Sequence, residues 1–388
     1  MEQNRLIVSE SIQLSTNEPL STKRSSTVYC IMHMEKNVAK ISSSGMAEVL
    51  DETFMPYDLY FEDADETDID TRMNNLDVFY HWCASRVLSI DRKYAKDILN
   101  SIGVAQATTD KDRAKISLSY HCVSLTDVFW VKTQDEDITF AKLNLYDHTL
   151  SDAIIDLTLR GRQMTVTNQE LPDLAPDLST KGYFPKAWIR CDDGFKLLKD
   201  GGEDAVKREL LASMICQCFD IPQVVYCEHE YDGQIVTESE IITSKEFSIV
   251  SKFAYDIYAC NHDIDTVDMC IKLDPITYYG MNILDYLIGN TDRHPENWGF
   301  KVDNKTNGII SLYPLMDFNQ CFLSYDTLDG AHCQTVKTTG ITQREAAIEA
   351  VKAIGLHQVC EMDMSKFENM DKEAEMFRQR LAQLKKYA

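Results

Sequence analysis

The sequence is short of positive charge and has no long apolar run. Its 388 residues carry 39 Lys and Arg against 62 Asp and Glu, which gives a formal net charge of -23. Binding along a nucleic-acid backbone needs clustered Lys and Arg, so we expect no direct nucleic-acid binding by this chain. No segment approaches the roughly 18 apolar residues of a membrane span, and the start of the chain lacks the apolar core of a secretory signal. These absences favour a cytoplasmic protein that does not associate with membranes.

The cysteines also exclude a class of site. There are 12 of them, scattered along the chain, and no two form a CxxC pair. Structural zinc sites need ligands at close, regular spacing. We therefore expect buried, reduced thiols rather than a metal site built from cysteine.

Shifts in composition divide the chain into four parts. Residues 1–26 are polar and are predicted to be a flexible tail. Residues 27–170 have the patterns of an accessory module of strands and helices, but no motif with a chemical interpretation. Residues 171–242 show short strands around one helix, and residues 243–388 are mainly helical by pattern.

Apolar spacing and turn residues predict the main elements. In the accessory module they indicate a helix from Leu76, a second helix from Ser89, and a strand, a turn and a strand over Ile116–Trp130. Beyond it, two hairpins flank a helix: the strands are Ala187–Arg190 with Phe195–Lys199 and Gln223–Cys227 with Gln234–Thr237, and the helix between them is Asp204–Phe219. Three more helices follow, over Met281–Leu287, Arg344–Ile354 and Met364–Lys386.

Three polar residues have the spacing that phosphoryl transfer requires. Such a reaction needs a carboxylate beside the acceptor hydroxyl, and further oxygen ligands that hold magnesium on the phosphates. Asp292 lies five residues before Asn297, and Asp317 follows a short predicted strand over Ile309–Tyr313. Asp292 is therefore a candidate base, and Asn297 and Asp317 are candidate metal ligands. Turn or capping roles are the simpler alternatives for all three.

Two residues upstream, Lys199 and Glu209, are candidates for binding the nucleotide phosphates. Lys199 ends a predicted strand, and the alternation of that strand puts it on the inward face with Phe195, whereas Lys196 points to solvent. Glu209 follows on the next helix, where it can pair with Lys199 or with a surface base beside it. Arg293 is predicted to bind a phosphate or Asp317, or to form a surface salt bridge.

The segment Asn290–Phe300, NTDRHPENWGF, resembles the NTDRHxxNxGF signature of HipA-like kinases. Ser124–Trp130, SLTDVFW, is similar to an SLxDxYW stretch that precedes the kinase core in Firmicute-type members of that family. The resemblance covers roughly residues 170–388. It implies an α+β, two-lobed, protein-kinase-like fold with a mixed α/β N-terminal lobe, an extra N-terminal module and a mainly helical C-terminal lobe.

The resemblance also implies ATP and Mg²⁺ as cofactors and assigns roles to residues. Asp292 becomes the catalytic base, Asn297 and Asp317 bind the metal, and Lys199, positioned by Glu209, contacts the phosphates. A phosphate-covering loop precedes the first strand, and a hinge that receives adenine follows the last one; their residues are Ser179, Thr180, Lys181, Gly182 and Lys186 for the loop and Ser239, Glu240, Ile241 and Ile242 for the hinge. Ser179 is the nearest match to a loop serine that some members autophosphorylate.

Three functions remain open at this stage. The first is a serine/threonine protein kinase, in some family members the toxin of a toxin–antitoxin system, with an unknown protein substrate and a small antitoxin-like partner. The second is a phosphoinositide or small-molecule kinase. The third is a nucleotide-binding pseudokinase, which the single Gly182 in the loop favours. A further departure from the family pattern is Asn319, in place of a glycine after Phe318.

Overall fold

The computed structural model describes residues 26–87, 109–148, 186–191, 194–231 and 233–388. Over these residues the chain is a mixed α+β protein with strands in three sheets, as the sequence predicts. Three predictions concern residues outside the described ranges: the tail, apart from Ser26, the helix from Ser89, and the loop residues 179–182.

The first sheet forms the accessory module and carries a hydrophobic core on each face. Its antiparallel strands have the order β3-β2-β1-β4, and successive residues of one strand point to opposite faces. Accordingly, Cys30 and Met32 belong to one core and Ile31 to the other. The elements are β1 (Val28–His33), β2 (Lys36–Ser42), β3 (Ala47–Val49), α1 (Ile69–Ala84), α2 (Asp110–Ser119), β4 (Phe129–Thr133) and α3 (Phe140–Leu143).

Two predictions for this module are wrong. Helix α1 begins at Ile69, earlier than predicted, because the Asp68 carboxylate accepts a hydrogen bond from the Thr71 N–H at 3.0 Å and caps it. Residues 116–119 end helix α2 instead of forming a strand. Thr109 caps that helix and acidic residues occupy its first turn, where the helix dipole favours negative charge.

The second sheet confirms the first predicted hairpin and the second strand of the other. It consists of β5 (Lys186–Cys191), β6 (Gly194–Lys199), β7 (Cys227–Tyr231) and β8 (Gln234–Glu240) in the antiparallel order β5-β6-β8-β7. Helix α4 (Glu203–Cys216) packs against β8. Strand β7 begins at Cys227, where the predicted strand ended, so that bound was wrong.

The C-terminal part is mainly helical, as predicted, but it contains a third sheet. Strands β9 (Phe247–Ser251), β10 (Gly299–Asp303) and β11 (Gly308–Leu312) pair in the order β11-β10-β9, and only β11 was predicted. The helices are α5 (Lys252–Asn261), α6 (Thr266–Leu273), α7 (Pro275–Ile288), α8 (Gln343–Ile354) and α9 (Asp371–Leu384). The long helix predicted over 364–386 is interrupted before α9, where Asn369 adopts a left-handed φ of 59°.

Helix α7 is the buried centre of this part, and its end directs the chain into the DxxxxN segment. It begins with Pro275 after the capping Asp274 and stops at Gly289, whose φ is 61°. A Cβ at that glycine would lie 2.3 Å from a ring carbon of Tyr325, so both the backbone conformation and the space require glycine. In the ranges that the structure describes, no helix is long and apolar enough to cross a membrane.

Candidate active site

Lys199 lies at the meeting point of the second sheet, helix α4 and the segment after β11. Its side chain is 4% exposed, and Nζ donates to Glu209 Oε1 at 2.8 Å and to Asp317 Oδ1. Glu209 is held in turn by the Thr237 hydroxyl, which donates to Oε2 at 2.7 Å. The competing Lys196 pairs with Glu238 instead. The structure thus brings three of the predicted residues into one buried cluster.

The DxxxxN segment forms a turn that places Asp292 and Asn297 together. The Asp292 N–H donates to Asn290 Oδ1 at 3.0 Å, and Asn297 Nδ2 donates to the Asp292 carbonyl at 2.8 Å. That bond uses the amide nitrogen of Asn297 and leaves its amide oxygen as the atom that can face a cation.

Arg293 holds this turn in place through hydrogen bonds to α7 and to two backbone carbonyls. It is buried and makes a bidentate pair with Asp285 of α7, with both N–O distances at 2.9 Å. Its Nη1 also donates to the carbonyls of Asn297 and Met316, at 2.9 and 2.8 Å. The predicted roles of Arg293 at a phosphate, at Asp317 or in a surface salt bridge are therefore wrong. The guanidinium ties the turn to the residue that precedes Asp317.

Asp317 is held in an unusual backbone conformation with an ionised side chain. Its φ is 62°, and its N–H donates to the Tyr226 hydroxyl at 3.0 Å. Burial alone would raise the pKa of this carboxyl, but Lys199 and Lys186 outweigh burial and hold the pKa well below its ordinary value. The carboxylate is therefore negative throughout the neutral range.

Asp292 has the opposite electrostatic environment. Burial raises its pKa, His294 opposes that effect, and the Asp317 carboxylate reinforces it. Its side chain is still 42% exposed, with His294 Nε2 at 3.9 Å. A raised pKa makes a carboxylate a better proton acceptor, and the exposure leaves it reachable by a substrate.

Asp292, Asn297 and Asp317 border one cleft of about 410 Å³, whereas Lys199 and Glu209 are buried and are not among its lining residues. That volume is in the range of small-molecule and cofactor sites. Predicted residues that line it are Lys186, Asp292, Asn297 and Asp317. Among the described residues, the predicted hinge Ser239–Ile242 is not part of the lining. Ser239 and Glu240 lie in β8, and Ile241 packs against the core of the accessory module.

No protein-family model matches the chain, and no curated protein matches it. Among solved structures it is similar to the proinflammatory kinase CtkA of Helicobacter pylori, with 15% sequence identity, coverage of 52% of this chain and 90% of that one, and a TM-score of 0.37. It is also similar to the HipA, HipB and operator DNA complex of the Shewanella oneidensis MR-1 toxin–antitoxin system, with 10% identity, coverage of 80% and 85%, and a TM-score of 0.42. At these values the functional assignment depends on the cleft residues themselves.

The oxygen donors of the cleft fit magnesium. Within the described ranges, no group of three or more His, Cys, Asp and Glu is placed to hold a metal ion. One carboxylate and one amide oxygen, from Asp317 and Asn297, suit Mg²⁺ when phosphate oxygens and water complete its shell. Asn319 also lines the cleft, and its buried Oδ1 has no hydrogen-bond partner.

Sequence reasoning missed much of the cleft wall. The accessory module supplies Arg86 and Asp127, which form a buried pair at 2.6 Å, and several neighbours that also line the cleft, namely Tyr57, Trp82, Ser124, Thr126 and Phe129. Trp188 of β5 is a further lining residue. Strand alternation would have put Trp188 on the same face as Lys186. The stretch Ser124–Trp130, noted for its resemblance, supplies four of the accessory lining residues, namely Ser124, Thr126, Asp127 and Phe129. That they reach the cleft is decided by tertiary packing.

Proposed function

We propose that this chain is a HipA-like kinase that uses ATP and Mg²⁺ to phosphorylate a serine or threonine hydroxyl of a protein. One observation carries the proposal: buried Lys199 contacts both Glu209 and Asp317, and Asp317 borders the same cleft as Asp292 and Asn297. In kinases a lysine–glutamate ion pair positions the lysine on the nucleotide phosphates, and an Asp and an Asn hold the metal. The same residue types occur here in the same chain order.

Each residue has a defined task in the transfer. Asp292 orients the acceptor hydroxyl and accepts its proton, for which its raised pKa is suited. Lys199 and Lys186 place positive charge where the phosphates lie, and Asn297 and Asp317 would hold the metal. Mg²⁺, when bound, neutralises charge on the transferring phosphoryl group.

The proposal extends to regulation and partners through the sequence resemblance. Residues Ser179–Lys186 would cover the nucleotide phosphates, and Ser179 would be the autophosphorylated serine. A small antitoxin-like protein would be the partner, which makes the chain the toxin of such a pair. The basis is the signature over Asn290–Phe300.

The test separates nucleotide binding from phosphoryl transfer. Calorimetry with ATP and Mg²⁺ measures binding, and radiolabelled γ-phosphate measures transfer to the chain itself, to a mixture of serine and threonine peptides, and to phosphoinositide vesicles. We expect Asp292→Asn to bind ATP as the wild type does and to lose transfer by about 10²–10⁴-fold, the usual contribution of a positioned base.

The matched control is Asp220→Asn, which removes an exposed carboxylate that does not line the cleft and should leave both measurements unchanged. Transfer by Asp292→Asn at the wild-type rate would refute the assignment of the base. Wild-type ATP binding without transfer to any acceptor would instead identify a pseudokinase, and transfer to vesicles alone would identify a lipid kinase.

A further inference from the structure

Two cysteines lie beside each other where residues 217–226, here called the connector, meet the chain between α8 and α9. Phe219 of the connector forms an antiparallel bridge with Gln358, and next to it the Cys360 N–H donates to the Cys218 carbonyl at 3.4 Å. An amide–carbonyl contact of this kind brings two Cα atoms close to the roughly 4.4–6.8 Å that a disulfide spans. The backbone therefore holds the two cysteines at a spacing that a disulfide can bridge.

The two thiols interact, and they differ in their access to solvent. Burial raises the pKa of the Cys218 thiol to about 12, and the Cys360 thiol adds to that effect. Cys218 is buried, whereas Cys360 is exposed. An exposed thiol can react with a dissolved oxidant, and a neighbouring thiol can then resolve the product into a disulfide. The pair thus has the two roles that intramolecular disulfide formation needs.

A second pair of thiols in the accessory module shows why access matters. Cys83 and Cys122 also interact, and each alters the pKa of the other. Both are fully buried, so a dissolved oxidant would reach neither. Among the described residues, Cys218 and Cys360 are the thiol pair that combines contact with access.

The connector extends from this pair to the candidate active site. The Val224 N–H donates to the Leu315 carbonyl at 2.8 Å. Two residues further along each segment, the Tyr226 hydroxyl accepts the Asp317 N–H at 3.0 Å. The thiol pair therefore lies at one end of a stretch whose other end supports the backbone of Asp317.

We propose that Cys218 and Cys360 form a reversible disulfide that fixes the outer end of the connector. The Cys360 thiolate attacks a low-molecular-weight disulfide, which gives a mixed disulfide and releases one thiol. Cys218 then loses its proton to solvent, attacks the Cys360 sulfur and expels the second thiol. Two protein thiols are oxidised and the small disulfide is reduced to two thiols, so atoms and electrons balance. This modification is independent of the proposed phosphoryl transfer.

The disulfide has two expected effects on the folded chain. It joins residues that are far apart in sequence, which restricts the unfolded state, so the oxidised protein should unfold at a higher urea concentration than the reduced protein. It should also slow amide hydrogen exchange in the connector and in residues 313–317, because local opening of the connector is restricted.

Tryptic mapping of the full chain tests whether the bond forms. Trypsin releases residues 209–245, which contain Cys218, and residues 353–366, in which Cys360 is the only cysteine. The chain is incubated with glutathione disulfide, its remaining thiols are blocked, and it is digested without reduction. We expect mass spectrometry to find the two peptides linked in the wild type, and the link to be lost in Cys360→Ser and in Cys218→Ser.

The first peptide needs a control, because it also contains Cys216 and Cys227. Cys227→Ser removes an exposed thiol from the same peptide and should leave the link unchanged. Fragmentation of the linked wild-type peptides assigns the bond to one of the three cysteines even if Cys218→Ser does not fold.

The outcomes test the bond and its effect separately. Glutathione attached to Cys360 without a link, a link through Cys216 or Cys227, or a dimer joined through Cys360 would overturn the proposed disulfide. If the link forms but neither the urea midpoint nor the amide exchange of the connector changes, the bond does not fix the connector, and that part of the proposal is wrong.

Discussion

Replacing Lys199 with methionine tests the buried charge cluster directly. The ammonium is buried between Glu209 and Asp317, whose side chains are 2% and 19% exposed. Methionine is similar in length and apolar, so it fills much of the same space without the charge. The substitution therefore isolates the loss of the cation from the loss of packing.

The expected loss of stability follows from the two carboxylates that remain in the variant. Two carboxylates would lie close together in a buried region with no cation between them, and removing one partner of a buried ion pair costs about 3–5 kcal/mol. We expect the free energy of unfolding of Lys199→Met to fall by about that amount at pH 7. Adding Glu209→Gln should recover part of the loss, because it removes one of the two orphaned charges.

The stability that Lys199→Met loses should also depend on pH. In the wild type the pKa of Asp317 is lowered, so its stabilising contribution is present above the ordinary Asp pKa and is lost as the pH falls through the lower folded value. In Lys199→Met burial is the main remaining influence, and it raises that pKa. The difference in stability between wild type and variant should therefore shrink as the pH falls below about 4.

Equilibrium unfolding in urea, followed by circular dichroism, measures these differences. Lys207→Met is the matched control, because Lys207 lies on the same helix α4 as Glu209 and forms an exposed pair with Glu203 at 2.6 Å. Exposed pairs contribute little, so no measurable change is expected there. If Lys199→Met and Lys207→Met unfold at the same urea concentration as the wild type, the buried cluster does not stabilise the fold.

Two further predictions concern the catalytic turn. The acid limb of the pH profile of kcat/KM should have an apparent pKa above the ordinary Asp value of 3.8, because burial raises the pKa of Asp292 and only its ionised form accepts a proton. An apparent pKa at or below that value would contradict the assignment of Asp292 as the base. Gly289→Ala should lower the melting temperature more than Gly233→Ala, since both glycines have positive φ but only at Gly289 would the new Cβ overlap Tyr325. Equal losses in thermal unfolding would show that backbone strain alone accounts for both.

Local patterns predicted a good part of the site. The Asp-Gly turn located the β5–β6 hairpin, and strand alternation selected Lys199 over Lys196 as the buried lysine. The spacing of Asp292 and Asn297 placed both in one turn, where the structure has them. These features depend on short-range geometry, which a few consecutive residues specify.

Predictions failed where long-range packing decides the outcome. Strands β9 and β10 went unrecognised because their pairing joins Phe247–Ser251 to Gly299–Asp303, far apart in the chain. Arg293 was expected at a phosphate or a surface carboxylate, yet it is buried against Asp285. The charge of an arginine is evident from sequence, but its partner depends on which segments pack around it.

The sequence by itself determined the acidic composition, the β5–β6 hairpin, and the order of the chemically important residues. Those properties follow from residue type and local spacing. Only the tertiary structure decided that the accessory module contributes to the cleft wall and that residues 239–242 are not part of its lining. The reason is that a cleft is defined by surfaces from distant segments, and their contact depends on how the cores pack together.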